Sequence, residues 1–255
     1  MNISQKFEQW MAKYQRVYSN SSEKEERFAI FRNNLKNINI FNSRGAENFT
    51  QRINSFGDLT DEEFRSRYRG SFHIPNTTTT SSSFFKYQSI KDEDLSDATV
   101  DWRRDGVVTN VKNQGECVSS WAFATVTALE GIAPYITDNK FMNLSVQQLI
   151  DCSKSFGTHG CTGGLPSDAL AYVAAKGLVI ENRDADGSCE NSTLSHVTAV
   201  IGYGTTIRGV DYWILKNSWG KDWGENGYMR ILRNPENKPA GVCNLAVYPV
   251  YPSLS

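Results

Sequence analysis

What the chain lacks narrows the reading first. Its 255 residues include only three histidines, and its five cysteines, at 117, 152, 161, 189 and 243, show no paired C-x-x-C spacing. A zinc site is therefore not expected, and no cofactor is implied. There is little excess charge of either sign: the formal net charge is -1, which gives neither nucleic acid nor an anionic membrane a reason to bind. No apolar run approaches the roughly 18 residues that span a bilayer. The opening Met1-Asn2-Ile3-Ser4-Gln5-Lys6-Phe7-Glu8 contains no apolar h-region, so no signal peptide is expected in this chain. Six Asn-x-Ser/Thr sequons, beginning at Asn2, Asn20, Asn48, Asn76, Asn143 and Asn191, nevertheless suit a secreted protein. The scattered cysteines fit disulfides, and their odd number leaves at least one without an intrachain partner.

What is present is ordinary for a soluble globular chain, with 12% aromatic and 22% charged residues in a length that allows one large domain or two small ones. The first 70 residues are helical in pattern. Phe7, Trp10, Met11, Tyr14 and Val17 recur at helical spacing. A second helix is expected from about Glu23 to Asn42, capped by Ser21 or Ser22, striped by Phe28, Phe31, Leu35 and Ile38, and stopped by Gly45. Residues 71–97, with the run Asn76-Thr77-Thr78-Thr79-Thr80-Ser81-Ser82-Ser83, read as a polar linker and activation region.

From about residue 98 the texture changes. A buried helix is expected to start near Ser119 or Ser120 and stop at Gly131, with further helices over Ser145 to Cys152 and Ser167 to Lys176. Two apolar runs follow His196, Val197 to Tyr203 and Tyr212 to Leu215, and Gly204 and Gly209 between them suit a hairpin loop. Helices first and strands afterwards predict an α+β fold of two subdomains.

Two sets of motifs carry a resemblance. Glu23, Arg27, Phe31, Asn34, Ile38 and Asn42 lie at intervals of four and three on one helical face, and Asn54, Phe56 and Asp58 follow, with Arg52 where a glycine would complete the set. The first six match the ERFNIN pattern of papain-type prosegments, and the other three match the GNFD positions. Further on, Gln114-Gly115-Glu116-Cys117-Val118-Ser119-Ser120-Trp121 is similar to the papain nucleophile segment. Cys161-Thr162-Gly163-Gly164, His196 leading into Gly202-Tyr203-Gly204, Asn217-Ser218-Trp219-Gly220 and Trp223-Gly224-Glu225-Asn226-Gly227-Tyr228 match too. The chain thus resembles a papain-family cysteine peptidase zymogen. The resemblance implies a papain-like fold, with a helical subdomain and a β subdomain behind a helical inhibitory prosegment.

The resemblance also implies roles. Peptide cleavage by a side chain needs a nucleophile, a base and a group that orients the base. Position 120 is the nucleophile position, at the start of a helix whose dipole favours an anion. Gln114 resembles the oxyanion donor, His196 the base, Asn217 its orienting partner and Trp219 the shield over their hydrogen bond. With a hairpin centred near residue 208, His196 falls opposite a position near 220, close to both partners. Gly163, Gly164 and Leu165 resemble the segment that pairs with extended substrate. Cys117 with Cys161 matches one family disulfide. Cys189 with Cys243 is favoured as a second, and Cys189 with Cys152 is the alternative.

Three departures stand out. Ser120 occupies the place of the catalytic cysteine. Val118 occupies that of a glycine, where strain or crowding is expected. The third is spacing: His196 and Asn217 follow residue 120 by 196 − 120 = 76 and 217 − 120 = 97 residues, against about 130–150 in the family. Roughly 50 residues are therefore absent, near 184–187, and the expected consequences are a truncated β subdomain and a poorly fixed His196. The expected function is that of a catalytically impaired endopeptidase homologue, monomeric, acting on polypeptide substrates and bound by its own prosegment. The alternative is a non-catalytic protein that inhibits related cysteine peptidases through that prosegment. A silica-forming protein, as in the silicateins that resemble this family with serine for cysteine, is a distant third. The resemblance implies a lysosomal, vacuolar or extracellular location.

Overall fold

The computed structural model describes residues 2–44, 50–68, 99–137, 141–178, 196–233 and 249–252. Gly45, the linker 71–97, the break expected at 184–187, Cys189 and Cys243 lie outside these residues. The chain divides into two compact units, Met1–Arg67 and Tyr68–Ser255.

The first unit is built on three helices, α1 (Ile3–Tyr14), α2 (Ser21–Ser43) and α3 (Asp61–Tyr68). Asn2 caps α1 by accepting the Gln5 N–H, and Gln5 bonds back to the Asn2 N–H. Gln15 then ends the helix in the left-handed region, at φ 52°. That turn takes Val17 off the helical face, so it is exposed rather than part of the apolar stripe. The cap of α2 is Asn20, not Ser21 or Ser22, because its side-chain oxygen reaches the Glu23 N–H.

Phe7 and Trp10 of α1 bury against Phe31 and Leu35 of α2, with Phe28 and Tyr14 packed around them. The stripe on α2 therefore finds its partner in α1. Phe7 sits 5.1 Å from Phe31 and 5.2 Å from Phe28 between ring centroids, separations at which aromatic pairs add about 0.5–1.5 kcal/mol beyond area burial. The polar members of the six-residue pattern clamp the chain that returns over α2. Arg27 bonds Glu63 at 2.8 Å and the Asp58 carbonyl. Asn34 donates to the carbonyls of Gly57 and Leu59, and Asn42 pairs reciprocally with Gln51. Trp10 and Tyr18 complete the clamp on Asn54 and Asp58.

The second unit has a helical half and a β half. Its central helix α4 (Ser120–Ile136) buries Trp121 and Val126 against Leu149 and Ile150 of α5 (Val146–Cys152) and Ala169 and Tyr172 of α6 (Pro166–Lys176). α4 runs five residues past Gly131, where the sequence predicted a stop, and carries Pro134 in its last turns. A helical glycine costs about 1 kcal/mol, and Ala133, almost fully buried beyond it, keeps the turn packed. The Cys117–Cys161 disulfide forms as expected, tying the segment before α4 to the short 3₁₀ turn Gly160–Thr162. Closing 44 residues of separation is worth about 4 kcal/mol in the chain-entropy account.

The β half is one antiparallel sheet in the order β1 (Val100–Asp101), β2 (Ala199–Thr205), β3 (Asp211–Lys216), β4 (Tyr228–Leu232). β2 and β3 form the expected hairpin, with Ala199 opposite Lys216 and an irregularity at Val200/Gly202. β1 and β4 were not anticipated, since two residues make no pattern and Arg230 interrupts the apolar character of β4.

Candidate active site

Position 120 is the first residue of α4, and Ser120 is 1% exposed. Its hydroxyl oxygen accepts the Val197 N–H at 3.1 Å, which brings the head of the helix against the residue next to His196. The hairpin register then does the rest. Continuing the pairing of Ala199 with Lys216 outward carries His196 to Trp219, and the two rings stack at 4.2 Å. Asn217 lies between them in sequence, and its Oδ1 accepts from His196 Nε2 at 2.5 Å and from the Ser218 N–H at 2.8 Å. Trp219 is buried and meets Trp223 edge-on at 5.2 Å. His196 is thus held by Asn217 on its edge and Trp219 on its face. This corrects the expectation that it would be poorly fixed.

Gln114 is joined to the same segment. Its N–H donates to the Ser218 carbonyl, and Ser218 Oγ donates to Gln114 Oε1 at 2.6 Å. Gln114 Nε2 spends one of its two N–H groups on the Cys117 carbonyl at 2.9 Å. Asn113 bridges Trp219, and the Gly220 N–H bonds the Lys112 carbonyl. Two backbone hydrogen bonds and one side-chain bond therefore zip the segment 112–114 onto 218–220, across the divide between helices and sheet. Val118 donates to the Cys161 carbonyl at 2.8 Å. Only Gln15 and Asn226 are non-glycine residues with positive φ among those described, so Val118 does not take a left-handed backbone that would require glycine.

Gly163 and Gly164 need glycine for different reasons. Gly163 stands at φ 137°, a region closed to side chains, and its carbonyl is occupied by the His159 N–H. Gly164 lies flat on Trp121, and a Cβ there would come within 2.7 Å of the indole. Among the described residues the Gly164 N–H and C=O join no backbone hydrogen bond, which leaves both able to pair with an extended chain. Leu165 follows, half-buried, just before α6.

This geometry accords with a sequence match along most of the unit. The family model "Papain family cysteine protease" matches residues 96–185 and 182–253, in two pieces, and "Cathepsin propeptide inhibitor domain (I29)" matches 7–64. The chain belongs to the papain family of cysteine proteases. A senescence-specific cysteine protease of Oryza sativa subsp. indica is 34% identical over 311 aligned positions, covering 98% of this chain and 90% of that one. Ananain of Ananas comosus is 33% identical over 311, covering 99% and 88%. Among solved structures, a recombinant stem bromelain precursor superposes with a TM-score of 0.82 at 30% identity, over 98% of this chain and 99% of the other. A digestive procathepsin L 3 of Tenebrio molitor larval midgut gives 0.79 at 29% identity over the whole of both. The α+β papain-like fold with a propeptide domain is therefore shown.

Behind the papain-type site lies a buried polar cluster that sequence reasoning missed. Glu130 of α4, 1% exposed, accepts from Thr109 at 2.5 Å and from the Leu144 N–H at 2.9 Å, with Lys112 at 3.6 Å. Lys216, the residue before Asn217 and 5% exposed, donates to Thr109 Oγ1 at 2.7 Å. Loss of hydration pulls the Lys216 ammonium down from 10.5 to about 8; Glu130 opposes the change and Lys112 adds to it. The one available signal was a lysine ending an apolar strand.

The shift has a sign that can be tested. Below pH 8 both folded and unfolded chains carry the Lys216 proton, and the burial penalty is fully present. Between 8 and 10.5 the unfolded chain binds a proton that the native chain has released, so stability rises with pH across that window. The gap between the two values is worth about 3 kcal/mol. Urea unfolding of wild type and Lys216→Met at pH 7.5 and 10 checks this: stability of the variant relative to wild type should be greater at pH 7.5 than at pH 10.

Proposed function

We propose that this chain is a papain-family protease homologue whose catalytic centre is impaired. It has a base, an orienting partner and a segment for extended polypeptide, and lacks a nucleophile ionised at rest. The observation that carries the reading is Ser120 at the head of α4. A papain-type site depends on a low-pKa thiolate beside an imidazolium. A serine hydroxyl must instead lose its proton during attack, as Oγ bonds the substrate carbonyl carbon and the proton passes to the histidine. The Ser120 oxygen also already accepts the Val197 N–H, which draws on the lone pairs that attack requires.

A second departure supports the same reading. The family match breaks into two pieces meeting at 182–185. The alignment to the rice relative runs over 311 positions, whereas this chain has 255 residues, so at least 311 − 255 = 56 positions have no residue here. We take this as the loss of one wall of the substrate cleft. Gln114 as oxyanion donor, Gly163, Gly164, Leu165 and Trp219 as substrate contacts, and a vacuolar, lysosomal or extracellular location belong to the same proposal. The Cys117–Cys161 disulfide supports the oxidising location.

After removal of residues 1–95, turnover of a dipeptide amide should stay at background. A rate comparable with ananain would overturn the proposal. A second reading, inhibition of related peptidases, is favoured by the propeptide match at 7–64 and by a first unit that folds around its own aromatic core. Adding the full chain, and separately residues 1–95, to an active plant relative tests it; undiminished hydrolysis at a large excess of both rules it out.

A further inference from the structure

Two features of the first unit serve neither its aromatic core nor its polar clamp: the sequon Asn20-Ser21-Ser22 and the apolar side chain of Val17, which is 89% exposed. They lie side by side. Asn20 and Ser21 border an open hollow of about 330 Å³ whose walls include Met11, Arg16, Val17 and Tyr18. That volume falls within the range of small-ligand sites, roughly 300–1,000 Å³. Part of the wall is rigid. Tyr18 stacks on Phe7 with ring centroids 6.2 Å apart, and its hydroxyl donates to Asp58 at 2.9 Å.

The sequons on described residues differ in their surroundings. Asn143 leads straight into the core, since Leu144 and Ser145 are buried. Asn20, Ser21 and Ser22 are all exposed. The Asn20 amide also divides its bonds in a way that suits modification. Its Oδ1 accepts the Glu23 N–H at 2.9 Å and so caps α2, while Nδ2 donates to Ser19 Oγ at 3.2 Å. N-glycosylation takes place at Nδ2, and it leaves Oδ1 and one of the two N–H groups in place. One side chain can therefore hold a glycan and cap the helix together. A sugar ring also has a face of C–H groups, and covering Met11 and Val17 with that face removes apolar surface from water.

We propose that Asn20 is an acceptor for an N-linked glycan whose first sugar lies in the hollow over Met11, Val17 and Tyr18. The donor is an oligosaccharide joined through its anomeric carbon to a lipid diphosphate. Asn20 Nδ2 bonds the anomeric carbon, the bond from that carbon to the diphosphate oxygen breaks, and one Nδ2 proton passes to the released diphosphate. Use of the site in nature rests on the secretory location included in the proposed function; the structure of the site does not.

The test sends the full chain through a eukaryotic secretory pathway behind a cleavable leader. The secreted protein is treated with peptide N-glycosidase in heavy-oxygen water, which leaves a labelled aspartate at each occupied position. Label at Asn20 is expected, and Ser22→Ala should lose it together with the mass of one glycan. Asn20 rather than Ser22 caps α2, so this variant removes the sequon and keeps the cap. Peroxide should oxidise Met11 about twofold faster in Ser22→Ala than in wild type, because the sugar no longer covers the thioether. An unlabelled Asn20 in the secreted protein, or one Met11 oxidation rate with and without the glycan, would overturn the proposal. Label at Asn20 in the host-made protein, with no glycan on protein from its natural source, would overturn the secretory location and leave the acceptor site standing.

Discussion

Ser120→Cys is expected to raise peptide-amide turnover by about 10²–10⁴ over the parent chain once residues 1–95 are removed, within the factor of about 10⁶ that loss of its nucleophile can cost a peptidase. The reason is that the groups around position 120 are firmly held. His196 is bonded to Asn217 and stacked on Trp219, and Gln114 is tied to Ser218. A thiol at the first position of a 17-residue helix meets one of the conditions that lower a thiol pKa, and the bond from Val197 to position 120 sets it beside the residue that follows His196. Iodoacetamide should therefore alkylate the introduced thiol much faster than Cys152, the free and exposed cysteine of the described residues. On the proposal that the missing block formed a cleft wall rather than a group that moves protons, the remaining deficit against an intact family member is expected in KM rather than kcat. Equal alkylation of the two thiols would show that no activated pair forms. A KM equal to that of a complete relative would show that the absent positions do not contact substrate.

Glu130→Ala should destabilise the second unit by about 3–5 kcal/mol, the cost of breaking a buried charge pair from one side. The substitution removes the acceptor for Thr109 and for the Leu144 N–H and leaves Lys112 and Lys216 without a counter-charge. Urea unfolding at pH 7 measures the loss. Adding Lys216→Met to Glu130→Ala should recover part of it, since one stranded charge is then gone; strict additivity of the two changes would mean that the residues do not share a cluster.

The helical half and the nucleophile segment were legible because their signals are local. The spacing from Glu23 to Asn42 places six residues on one helical face, and the structure assigns its polar members concrete acceptors on the returning chain. The pairing of His196 with Asn217 was legible from hairpin arithmetic, because antiparallel register is fixed once the turn is known. Misreadings came where tertiary packing outvoted a local rule. Gly131 did not stop α4, because burial beyond it outweighed propensity.

The sequence alone determined the family, the disulfide between Cys117 and Cys161, and the serine at position 120, since each is carried by residue identity at fixed spacing. Only the tertiary structure decided that His196 is firmly held, that Val118 needs no left-handed backbone, and that Glu130, Lys112 and Lys216 meet behind the site. These residues lie far apart along the chain, on α4, the segment before it and the end of β3. No periodicity links them; they are neighbours because helix and sheet pack together, and their charges interact strongly because that packing excludes water.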